Sequence, residues 1–145
     1  MPPLILRVKE VAMLRAIFLS FIFFVATAAW ASDDIKCNPD GNQLELNACA
    51  LDDFTKADDE LNRTYQALIK SEADEKLFIN KLRLAQKAWL AFRDADLEAR
   101  FACAEEDPRF CWGSMYPMLF LLRKAELTRE RTRHLQQLLV DGRDE

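Results

Sequence analysis

No stretch restricts this chain more than Leu82 to Asp96, LRLAQKAWLAFRDAD. Apolar side chains recur at Leu82, Ala85, Trp89 and Phe92, a 3-4-3 spacing that lines one face of an α-helix and fits no alternating strand. An indole as large as that of Trp89 gains ~1.5–3 kcal/mol or more on leaving water, so the helix demands partners that cover it. Arg93 and Asp94 close the apolar face. The stretch predicts the core helix of a helical assembly and specifies no reaction.

The flanking sequence supplies those partners. After the turn Asn38-Pro39-Asp40-Gly41, Asn42 is placed to cap a helix, and Glu45 stands three residues on, where it completes a capping box. The first helix is expected to run to about Lys70 with Leu44, Ala48, Leu51, Thr55, Asp58, Leu61, Tyr65 and Leu68 as its stripe. Ser71 or Asp74 is placed to cap the second helix, which is read from about Glu75 to Ala102. A loop with Cys103, Pro108 and Cys111 leads to Gly113-Ser114-Met115-Tyr116-Pro117, where Pro117 is tolerable only in a first helical turn. The third helix continues through Met118, Leu122, Ala125, Thr132, Leu135 and Leu139 and stops before Asp141-Gly142. Short connections between the helices and the absence of any strand-like alternation predict an all-α, antiparallel three-helix bundle.

The N-terminus reads as an export leader. Arg7, Lys9 and Arg15 precede the apolar run Ala16 to Ala31, which ends in Ala29-Trp30-Ala31, an A-x-A cleavage site. The run falls short of the ~20 residues that span a bilayer, so no stable membrane anchor is expected after cleavage. Met13 offers a second plausible start. The predicted domains are therefore a signal peptide at 1–31 and a helical domain at 32–145, destined for the periplasm or for secretion. Loss of Arg7, Lys9, Arg15 and Glu10 with the leader leaves 17 basic and 23 acidic residues, a charge of about −6. That balance disfavours nucleic acid, which calls for a clustered basic face, and permits a basic protein partner.

Cys37, Cys49, Cys103 and Cys111 all follow the leader, and an even count in an oxidising compartment reads as disulfides. Three pairings are possible. The reversing turns Asn38–Gly41 and Glu106-Asp107-Pro108 favour sequential pairing, 37 with 49 and 103 with 111. The spacings lack the short C-x2-C knuckles of thiolate zinc sites, and no metal or cofactor is expected.

Catalytic chemistry finds little footing. His134 is the only histidine and lies among Arg131, Arg133 and Gln136 on a polar face; no Ser–His or Cys–His nucleophile assembles around it. Asp52-Asp53 and Asp58-Asp59 point to different sides of a helix, there is no glycine-rich phosphate loop, and Asp40-Gly41-Asn42 is too little of a calcium loop. The chain reads as a binder, not an enzyme. The informative polar residues lie near the core: Asp58 and Asn62 on the first helix, Gln86 and Arg93 on the second, Thr128 and Arg131 on the third. Asp58 falls on the expected apolar face, which predicts an ion pair with Arg93 or Arg131 and a loss of ~3 kcal/mol or more on Asp58→Ala.

Several runs carry a resemblance: Cys37 with QLELNACA at 43–50, Ala57-Asp58 with Leu61-Asn62 and Tyr65, then LAQKAW at 84–89 with FRDA at 92–95. GSMYP at 113–117 follows, and last come Leu127-Thr128, Arg131 and Leu135. In this combination the chain resembles the DUF1311, or LprI-like, family of exported lysozyme inhibitors over nearly the whole of 32–145. The resemblance implies a protein that blocks lysozyme and so protects peptidoglycan. It also implies a cysteine at positions 97 and 123, tying the second helix to the third, where this chain has Leu97 and Arg123; Cys103 and Cys111 then read as a relocated bridge. The expected partner contact is the loop between those cysteines, with Glu105, Glu106 and Asp107, flanked by Trp112, Tyr116 and Phe120. The alternative is an envelope adaptor that uses the same aromatic surface on another partner.

Overall fold

The computed structural model describes residues 35–142; the expected leader lies outside them. Helix α1 spans Gln43–Ser71, α2 Lys76–Arg100 and α4 Tyr116–Asp141, while α3 is a single turn, Arg109–Trp112, followed by a 3-10 turn at Gly113–Met115. Among the described residues no helix is long and apolar enough to cross a membrane.

The start of α1 forms as its residues dictate. Asn42 Oδ1 accepts from the Leu44 and Glu45 amides, and Glu45 returns the bond by accepting from the Asn42 N–H at 2.8 Å. A Cβ at Gly41 would push aside the Glu45 carboxylate that completes this box. The Cys37–Cys49 bridge, with Cα atoms 4.3 Å apart, folds the arm back onto the second turn of α1. The start of α2 departs from expectation: its cap is Glu75 with no side-chain capping bond, and the Ser71 hydroxyl donates instead to the Leu68 carbonyl. Pro117 sits in the first turn of α4, where the missing N–H has no helical acceptor to lose.

Cross-helix bonds set the topology. Gln43 reaches Met118, Asp53 meets Arg129, and Glu60 accepts from Gln136, so partners advance together and α1 and α4 run parallel. Gln86 with Arg131 and Asp96 with Arg123 run in opposite senses, which makes α2 antiparallel to α4. The result is an up-down-up bundle.

The buried face of α1 differs from the expected stripe. Ala50, Ala57, Leu61, Thr64 and Leu68 are buried, while Leu44 and Leu51 are exposed. The large side chains of the N-terminal half mark the wrong face because α1 and α4 approach closely there, and a close seam takes small residues, Ala50 and Ala57 against Ala125, Thr128 and Thr132. On α2 the inward residues are Ile79, Leu82, Arg93 and Leu97, so Ala85 and Phe92 turn outward; Phe92 is 59% exposed. On α4, Leu122 and Leu139 are exposed.

The core divides in two. Leu61, Leu68, Leu82 and Leu135 meet near the α1–α2 turn, with Trp89 packed against them. Leu97, Phe101 and Leu127 meet at the other end beside Tyr116, Leu119 and Phe120. Polar residues lie between. Arg93, only 6% exposed, sets its guanidinium 5.2 Å from the Trp89 ring centre and pairs with Asp94 at 2.8 Å. Arg131 Nε donates to Gln86 Oε1 at 3.0 Å, and burial holds its guanidinium below its ordinary value. Thr128 and Thr132 donate to carbonyls of their own helix.

The expected Asp58 ion pair is therefore not formed. Asp58 Oδ2 accepts from Asn62 Nδ2 at 3.1 Å, one turn along the same helix, while Arg93 and Arg131 have other partners. With the N-terminal stripe rotated, Asp58 sits at the edge of the seam and strands no arginine. Asp58→Ala should change the unfolding free energy by less than about 1 kcal/mol, the scale of an exposed polar contact, as read from thermal melts.

Candidate binding surface

The end of the bundle where α2 gives way to the Cys103–Cys111 loop collects the unusual side chains. The bridge closes the loop with Cα atoms 5.9 Å apart. α3 itself carries Cys111, and Gly113 ends it at φ 66°, a left-handed conformation that would strain any residue with a Cβ. This reversal swings Trp112 back onto the end of α2. Its indole packs edge-on against Phe101, centroids 5.2 Å apart, and Nε1 donates to the Phe101 carbonyl at 3.3 Å.

Phe101 is also the hub of an aromatic cluster with Tyr116 and Phe120. Both of these are half-buried in the cluster, which leaves the outward surface mainly to other residues. Beside the cluster lies a groove of about 450 Å³ floored by Phe101, Trp112, Leu119 and Leu122, with Arg100, Arg123 and Glu126 at its rim. Phe110, which sequence reasoning missed, is 80% exposed on the loop side. Its only sequence signal is position, beside Cys111 on a short bridged loop.

The three loop acids differ. Glu105 and Glu106 are exposed and form no ion pair among the described residues. Asp107 is held by Arg109, whose guanidinium donates to both carboxylate oxygens and whose backbone N–H donates to Oδ1. Those bonds push the Asp107 carboxyl below its ordinary value, and a bond from Arg123 does the same for Glu126. A depressed folded-state value stabilises the fold above the ordinary carboxylate range, and that contribution is lost as pH falls through it. Melting temperature should thus decline as pH falls below about 5, and Asp107→Asn with Glu126→Gln should flatten the decline.

No group of three or more His, Cys, Asp or Glu is placed to hold a metal ion among the described residues. His134 is exposed on α4, far along the helix from this end.

The sequence profile of the family "Lysozyme inhibitor LprI" matches residues 35–135, and thereby takes in α1, α2, the bridged loop and most of α4. The chain belongs to the LprI lysozyme-inhibitor family. It is also similar to uncharacterized protein R02472 of Rhizobium meliloti (strain 1021), at 35% identity over 114 residues, covering 71% of this chain and 78% of that protein. No solved structure matches it.

Within an LprI-family chain, positions 97 and 123 gain a physical account. Leu97 is fully buried between Phe101 and Leu127, and Arg123 on the facing helix reaches Asp96 at 3.8 Å and Glu126 at 2.7 Å. Apolar packing and an ion pair thus hold α2 to α4 at the place where the sequence resemblance implies a disulfide.

Proposed function

We propose that this protein is exported, loses residues 1–31, and binds lysozyme in the periplasm or outside the cell through its Cys103–Cys111 end. Family membership supplies the class of partner. The observation that carries the choice of surface is the loop itself: Glu105 and Glu106 exposed with no ion pair among the described residues, and Phe110 exposed on the same bridged loop. A bridged loop loses little conformational entropy on binding, so acids displayed on it can enter a basic cleft at low ordering cost. The negative charge of the chain would speed the encounter with a basic enzyme. Two formed disulfides suit an oxidising compartment. The role is that of a binder, not a catalyst.

Clearing of a peptidoglycan suspension by lysozyme, followed as turbidity with and without the purified protein, tests the proposal. Lysis should slow, and reversal of both free acids, Glu105→Lys with Glu106→Lys, should raise the concentration needed about tenfold while leaving the melting temperature unchanged. Undiminished lysis at about tenfold molar excess would reject inhibition and leave an envelope adaptor that uses this end on another partner.

A further inference from the structure

α2 carries a second apolar face that the bundle does not use. Its inward residues Ile79, Leu82, Arg93 and Leu97 lie on one side, and at 100° per residue Leu84, Ala88, Ala91 and Ala95 lie on the opposite side. All four are exposed, Leu84 by 62%, and Phe92 borders them. The charges along the helix are divided. From Lys76 to Ala88 the only charged residues are basic, Lys81 and Lys87 among them, whereas the outer face beyond Phe92 carries Asp94 and Glu98.

We propose that this face pairs with the same face of a second copy, the two α2 helices running antiparallel about a two-fold axis. Two features select the antiparallel sense. A parallel pair would set lysine against lysine and leave Leu84 opposite Leu84, whereas reversal sets the basic half of each helix against the acidic half of the other. It also sets large against small. Outer positions recur in steps of four and three, a heptad seam, and in the register that places Leu84 over Ala95 of the second copy, Ala88 lies over Ala91. The same register brings Lys81 opposite Glu98 in the outermost layers and Lys87 beside Asp94 on the flank. Asp94 has an oxygen to spare, since Arg93 occupies Oδ1. The pairing is independent of lysozyme binding and leaves the two Cys103–Cys111 ends pointing in opposite directions.

Sedimentation equilibrium of the protein, purified from cells expressing the full chain, over about 1 µM to about 1 mM should show a reversible dimer. Leu84→Asp, at an exposed position, should keep the circular-dichroism spectrum and melting temperature and weaken the dimer about a hundredfold or more. Lys81→Glu and Glu98→Lys should each weaken it about tenfold, and the two together should restore it, because the pairs re-form with signs exchanged. A monomer throughout the range, a dimer unaffected by Leu84→Asp, or a double reversal as weak as the single ones would overturn the proposal.

Discussion

Leu135→Ala is expected to lower the unfolding free energy by about 2–5 kcal/mol, whereas Leu51→Ala should cost less than about 0.5 kcal/mol. Leu135 is fully buried where all three long helices meet, against Leu61 and Leu68 of α1 and Leu82 of α2. Its truncation leaves a cavity that the packed neighbours can fill only by moving against one another. Leu51 is half-exposed, so the unfolded and folded chains hydrate it comparably. Urea unfolding followed by circular dichroism measures both. Equal losses at the two positions would mean that the stripe of large residues on α1, not the stripe of small ones, faces the core.

The second large effect is expected at Trp112. Its indole joins α3 to the end of α2 through the edge-on contact with Phe101 and the hydrogen bond to the Phe101 carbonyl, and it walls the groove as well. Trp112→Ala should cost about 1–3 kcal/mol of stability, less than a fully buried tryptophan would. On the proposed reading it should also weaken lysozyme inhibition about tenfold or more, since a half-exposed aromatic beside a groove is the kind of side chain that dominates binding energy. Phe110→Ala separates the two effects. At 80% exposure it has little to lose in the fold, so inhibition should fall with the melting temperature unchanged. If neither variant alters inhibition, the contact lies elsewhere on the molecule.

Much of the architecture is legible along the chain because it depends on neighbours in sequence. The capping box of Asn42 and Glu45, the place of Pro117 and the two short disulfide loops each involve residues within a dozen positions. Local geometry decides them, and tertiary packing has only to tolerate them. The family runs are legible for the same reason.

The candidate surface was legible only in outline. Glu105 and Glu106 announce a charged loop, and Arg109 stands only two residues from the Asp107 that it claims, but nothing local shows that Phe101 draws Tyr116 and Phe120 inward. That outcome depends on how the end of α2 meets the start of α4.

The sequence by itself determined three long helices and favoured the cysteine pairing that forms, since each rests on backbone bonding and short-range closure. Leu61, Leu68, Leu82, Ala125, Thr132 and Leu135 are buried as their spacing predicts, whereas tertiary structure alone decided which side of the N-terminal half of α1 is inside. Hydrophobic patterning weights large side chains, whereas the α1–α4 seam selects small ones so that two backbones can approach, and Ala50 and Ala57 displace Leu44 and Leu51 from the core. That rotation sends Asp58 to its own helix for a partner, and it leaves Arg93 to settle over Trp89 beside Asp94. A charge finds its partner only after the helices have chosen their distance.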